Sequence, residues 1–194
     1  MLSIKPSKLT VQLAVQGFTL IEALVVLAIV AIVSAIVVPG MSGFVYDSRV
    51  SGNVNEFISA MTLARTEAVK RGKLVTICQS SSAATAKPAC DGATDWASGW
   101  LVFAESSSSD DVGTFEAGEA ILLRRGPLIS GMVAQSDPAT SRLTFNALGE
   151  PVGQGTGVMG VNMSVNDKSK RKVCINRNGR VKVIQKASSS TVCS

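Results

Sequence analysis

Between Ala23 and Val38 every residue except Ser34 is apolar, and no charged side chain occurs between Glu22 and Asp47. At ~1.5 Å rise per residue, a helix over residues 18–46 is long enough to cross a hydrocarbon core of ~30 Å. The run is rich in β-branched residues (Val25, Val26, Ile29, Val30, Ile32, Val33, Ile36, Val37), which favours strands in water. In lipid the helix prevails, because its backbone groups are satisfied within the segment. Glu22 stands at the start of this run. A carboxylate is costly at membrane depth and implies a function and a partner; the alternative is that it lies among headgroups, where an acid also suits a helix N-terminus. Lys5 and Lys8 supply the charged end of a secretory signal, but the apolar run is too long and no small-x-small cleavage site follows. A lipoprotein signal is excluded because no cysteine follows the leader. A plain single-pass anchor stays open on these residues alone.

The chain of 194 residues leaves enough length behind the anchor for one domain with a real core. Lys5 and Lys8 are two of 19 basic residues, set against 14 acids, so the net charge is mild and its distribution carries more information than its sum. The cysteines are Cys78, Cys90, Cys174 and Cys193, with no CxxC pair and no histidine in the chain. A metal site is therefore not expected. An even cysteine count beyond a membrane segment points to disulfides in an oxidising compartment, and the two leader lysines stay cytoplasmic by the positive-inside rule. The expected pairing is the sequence-local one, Cys78 with Cys90 and Cys174 with Cys193.

Past Gly43, Val50, Val54, Phe57, Met61, Ala64 and Ala68 recur at steps of four and three, an apolar stripe on a helix that should end near residue 71, where Lys70 and Arg71 precede Gly72. Pro39 and Gly40 should bend or loosen it. Short β-branched or aromatic runs then predict strands at residues 74–78, 100–104, 120–123, 128–133, 143–146, 158–165, 172–176 and 180–185. Asn178-Gly179 predicts a hairpin between the last two. Serine-rich pieces at residues 80–88, 106–111 and 187–191 read as loops. The fold class is α+β, a long N-terminal helix on an antiparallel β domain.

No phosphate loop, GxSxG, paired-carboxylate motif or histidine base is present, so an enzyme is not expected and no cofactor is implied. The informative stretch is residues 168–186, which carries Lys168, Lys170, Arg171, Lys172, Arg177, Arg180, Lys182 and Lys186 without one acid. A basic hairpin attracts polyanions through counterion release, and arginine forks grip phosphate oxygens. Alternation puts Arg180 and Lys182 on one face of the last strand and Val181 and Val183 on the other, with Arg177 and Asn178 at the tip. Aromatics are missing, which argues against base stacking and sequence preference. The competing reading is a solvated basic edge strand, or a surface that meets an acidic neighbour.

Gly17-Phe18-Thr19-Leu20-Ile21-Glu22, followed by Pro39, resembles the processing site of type IV pilins and type II secretion pseudopilins. Residues 64–71, then Val75-Thr76-Ile77-Cys78, then residues 96–103 with Gly99-Trp100, resemble the GspH/FimT family of minor pilins and pseudopilins. The resemblance implies a type IV pilin-like fold with a leader over 1–17, a transmembrane and filament-core helix over 18–46 and a periplasmic domain over 47–194. It implies cleavage by prepilin peptidase between Gly17 and Phe18, N-methylation of Phe18, insertion in the inner membrane with the C-terminal domain in the periplasm, and assembly with other pilins or pseudopilins into a filament, in the pilus tip or its assembly complex. In it Glu22 pairs with the amino terminus of a neighbouring subunit, and Trp100 is a core residue. FimT-like members of the family bind DNA through a Gly-Arg-x-Arg motif; the matching positions here read Gly179-Arg180-Val181-Lys182, with lysine in place of the last arginine fork. The implied function is a minor pilin that contributes non-specific double-stranded DNA binding in natural transformation. The alternative is a purely structural pseudopilin of a type II secretion system or a pilus-assembly priming subunit.

Overall fold

A computed structural model describes residues 17–106, 112–153, 159–165, 169–185 and 193, and of residues 36–40 the backbone alone. Residues 1–16, Lys168, Lys186 and the side chain of Pro39 lie outside that description. Two units are distinguished, residues 1–41 and 42–194. In the first, helix α1 (Leu20–Arg71) begins. Thr19 caps it: the Thr19 hydroxyl accepts from the Glu22 amide at 3.3 Å, and the Thr19 carbonyl accepts from Ala23 at 3.2 Å. The described side chains from Leu20 to Ala35 are exposed. No helix among the described residues is long and apolar enough to cross a membrane.

In the second unit α1 lays its stripe (Val50, Val54, Phe57, Ala60, Met61, Ala64, Ala68) into one core shared with two antiparallel sheets. The first sheet has the order β3-β2-β1-β5-β6, from β1 (Val75–Gln79), β2 (Trp100–Ala104), β3 (Ala120–Arg125), β5 (Arg142–Phe145) and β6 (Pro151–Val152). The second has the order β4-β7-β8-β9, from β4 (Met132–Asp137), β7 (Met159–Val165), β8 (Ser169–Ile175) and β9 (Val181–Gln185). Phe57 sits between Trp96 and Trp100, with both ring centroids 5.3 Å away and edge-on. Trp100 is fully buried, as the resemblance implies. The opposite face of the first sheet buries Cys78, Leu101 and Phe103 under Cys90, Phe115 and Ile121. Disulfides join Cys78 to Cys90 and Cys174 to Cys193. The helix ends at Gly72 (φ +62°), where Lys73 donates back to the Ala68 carbonyl at 3.3 Å. The Arg71 guanidinium, 2.6 Å away, and then Lys70 hold the Glu67 carboxyl below its usual range.

The expected strand at 128–133 is displaced to Met132–Asp137. Leu128 donates to the Ala97 carbonyl at 2.8 Å, and Met132 closes a turn onto Ile129 through Gly131 at φ +79°. The pairing with β7 begins only at Met132 and then runs through polar Gln135, Ser136 and Asp137. Alternation explains why polar residues fit there: Met132 and Ala134 are buried while Val133 and Gln135 face out. The 3-10 turn over Trp96–Ser98, capped by the Asp95 carboxylate, and the two-residue β6 are additions to the expected elements.

An acid is buried behind the first sheet. Glu105 accepts from the Thr76 hydroxyl and from the Gly113 amide (3.0 Å), and Thr76 also meets Thr144 Oγ1 at 2.6 Å. Burial raises its pKa; the bonds from Thr76 and Gly113 oppose this, and nearby Glu119 adds to it. A carboxyl whose folded pKa lies above the unfolded value of ~4.3 contributes stability that is present below that value and lost as pH rises through the folded pKa. Glu105→Gln should therefore melt at or above the parent at neutral pH, and that advantage should vanish on acidification below the unfolded glutamate value, as followed by thermal melts across pH.

Candidate functional site

The basic stretch folds as a hairpin, with β8 and β9 paired in the register Ile175 to Val181, Cys174 to Lys182 and Val173 to Val183. Val173, Ile175, Val181 and Val183 belong to the core or pack against it. The alternate residue Lys182 is exposed, as are Arg177, Asn178 and Arg180 around the turn. Asn176 donates to the Arg180 carbonyl at 2.9 Å, Gly179 donates to the Asn176 carbonyl at 2.8 Å, and the Asn178 side chain accepts from the Arg180 amide at 3.1 Å. Gly179 holds φ +72°, and a Cβ there would collide with the Gly149 carbonyl oxygen. Glycine is thus required at this position by both backbone conformation and space.

The eight basic residues of this stretch are not equivalent. Arg177, Arg180 and Lys182 share the exposed turn and the start of the edge strand; Lys170 is exposed further along β8, and Arg171 is half-buried. Lys172 departs from the expectation of a surface contact. It is 1 % exposed, its Nζ lies 3.2 Å from Asp137 Oδ2, and it crosses Gly160, whose missing side chain leaves room for the lysine stem beside Cys193. The reason is alternation: Lys172 shares its face with Cys174, the face to which the disulfide ties Cys193. Its charge is spent on Asp137. Lys168 and Lys186 are outside the described residues.

A helix residue outside the basic stretch, Arg65, also belongs to this region. The side chain of Arg65 lies against both Gly179 and Gly149: a Cβ on either glycine would come within 3.1 Å and 2.9 Å, respectively, of Arg65 Nε. Gly149 (φ +76°) closes the β5–β6 turn with the same bonds as the β8–β9 turn, Asn146 to the Glu150 carbonyl at 2.9 Å and Gly149 to the Asn146 carbonyl at 2.9 Å. The spacing Asn-x-x-Gly occurs at Asn146–Gly149 and Asn176–Gly179. That repeat was the available signal, although nothing local says that the two turns touch.

At the other end of the chain, Gly17 to Thr19 precede the helix, and Phe18 is 78 % exposed. The Gly17–Phe18 peptide therefore stands outside the helix, which begins at Leu20. Glu22 is exposed one helical turn beyond.

The chain matches the family model described as type II transport protein GspH over residues 53–179 and the model of the prokaryotic N-terminal methylation motif over residues 13–38. Among solved structures it is similar to the type IV minor pilin FimU of Pseudomonas aeruginosa (20 % identity, TM-score 0.48, covering 69 % of this chain and 91 % of that one). It is also similar to the minor pseudopilin EpsH from the type 2 secretion system of Vibrio cholerae (12 % identity, TM-score 0.48, covering 72 % and 99 %). No curated protein matches the chain significantly.

Proposed function

Because this chain belongs to the GspH family and carries the N-terminal methylation motif, we propose that it is a membrane-anchored minor pilin whose C-terminal hairpin binds duplex DNA for uptake. In this reading prepilin peptidase cuts at Gly17–Phe18 and Phe18 is N-methylated. The helix over 18–46 crosses the inner membrane with the domain over 47–194 in the periplasm, and Pro39 bends the helix as it packs in the filament with other pilins. The work is assembly and binding, with no reaction catalysed and no cofactor used.

The observation that carries the DNA reading is the exposure of Arg177, Arg180 and Lys182 on a turn and edge strand whose alternate residues are anchored in the core. Cations held on a rigid support lose less entropy when they engage phosphate. Phosphate contact without base readout fits a hairpin that has no aromatic residue. In a gel shift of the full mature chain in neutral detergent with a duplex of about two helical turns (~20 bp,), Arg180→Ala/Lys182→Ala should weaken binding about tenfold or more and reduce the dependence on salt. Unchanged retention of DNA by that variant would dismiss the hairpin as the contact. A second reading, a purely structural pseudopilin of a type II secretion system or a pilus-assembly priming subunit, is supported by the matching family model, described as type II transport protein GspH.

A further inference from the structure

We infer that Arg65, on the long helix, is a third guanidinium of the polyanion site and grips duplex phosphate together with Arg177 and Arg180. This rests on the reading of the hairpin as a DNA contact and extends it to a composite surface built from α1 and two touching turns.

Arg65 is half-buried, yet among the described residues its guanidinium makes no hydrogen bond and no ion pair. Other arginines of the domain are engaged: Arg71 with Glu67, Arg125 with Glu56, Arg124 with the Thr85 carbonyl and Arg142 with Thr114. A guanidinium with five donors that packs its stem while its charge goes unmatched among the described residues is suited to an external anion. Its placement is fixed by two backbones. Gly149 and Gly179 both present bare Cα atoms to it in left-handed conformations, so the Arg65 side chain lies where the β5–β6 and β8–β9 turns meet. Arg180 follows Gly179 directly and Arg177 precedes it by two residues. The helix thus brings one guanidinium side chain to the turn whose sequence carries two more.

The acids nearby do not cancel them. Glu67, on the same helix, is already held by Arg71 and Lys70. Glu150, which follows Gly149 in the adjoining turn, is exposed and a single carboxylate. It also provides a test, because a carboxylate at the margin of a phosphate-binding surface repels the ligand.

The experiment measures anisotropy of a labelled duplex against the full mature chain in neutral detergent at several salt concentrations, with thermal melts of every variant. Arg65→Gln should lose about tenfold in affinity and lower the salt slope by about one, as expected for one phosphate contact. Arg65→Lys should keep the slope and lose less affinity, and Glu150→Gln should bind several-fold tighter. If Arg65→Gln and Glu150→Gln both bind as the parent does while Arg180→Ala/Lys182→Ala fails, Arg65 is excluded and the hairpin reading stands. A parent chain without duplex binding overturns both. If Arg65→Gln and Arg65→Lys weaken binding equally and both lower the melting temperature, the residue only props the turns and the inference falls. It falls equally if Arg65→Gln keeps full DNA affinity and is instead lost from sheared filaments, which would assign the surface to an acidic neighbouring subunit.

Discussion

A chain carrying Glu22→Gln should reach the membrane and lose its leader at the normal rate, yet enter filaments at least tenfold less than the parent. Glu22 is the one charge in a window that otherwise has none until Asp47, and its amide is held by the Thr19 cap in the first turn of α1. If the chain is cut at Gly17–Phe18 as proposed, the freed amino group lies four residues before Glu22, and in the proposed filament it meets the carboxylate of a neighbouring helix. Between neighbouring helices the pair would be made in a medium of low dielectric, where breaking a buried ion pair by removing one partner costs about 3–5 kcal/mol, and each ~1.4 kcal/mol is tenfold in the assembly equilibrium. The measurement is an immunoblot of the sheared-fibre fraction against total membrane protein. Glu22→Asp should recover part of the loss. Wild-type incorporation of the glutamine variant would mean that the acid merely sits at a headgroup.

What could be read from the sequence was whatever repeats locally. The stripe from Val50 to Ala68 follows from the helical period, and all of those positions are buried. The alternation of Val181, Lys182 and Val183 gave the face that each side chain takes in β9. The misplacement of β4 has the opposite cause, since Leu128 looks like strand but is drawn into a turn by Gly131, and polar Gln135 and Ser136 become strand only because β7 lies beside them. Long-range apposition decided the rest. Lys172 reads as one more surface cation until Asp137, 35 residues away, takes its ammonium group. Arg65 lies off the apolar stripe of the helix, and only the turns around Gly149 and Gly179 bring it into the site. In both cases the missing information is which backbones approach closely, and glycine marked the place each time: Gly160 under Lys172, Gly149 and Gly179 against Arg65.

The second large effect is on stability, and it falls at Phe57. Its ring is fully buried and meets Trp96 and Trp100 edge-on, each at 5.3 Å. Around it two supports are fixed by hydrogen bonds: the Trp96 Nε1 donates to the Thr140 carbonyl at 3.0 Å, and Asp95 caps the turn that carries Trp96. Truncation cannot be repaired by either indole, because Trp96 would have to break that bond and Trp100 lies on β2, locked between β1 and β3. Phe57→Ala should therefore cost about 3–5 kcal/mol, the range for deleting a large aromatic side chain with little relaxation. Two edge-on aromatic contacts worth ~0.5–1.5 kcal/mol each would go with it. Against a total of about 5–15 kcal/mol for an ordinary domain, that is enough to leave a sizeable unfolded fraction at growth temperature. The readout is the tryptophan fluorescence melt of the mature chain in detergent, with Phe57→Leu as the control that refills most of the volume and should cost much less. Equal melting of the alanine variant and the parent would mean that the helix stripe is not what holds the two sheets together.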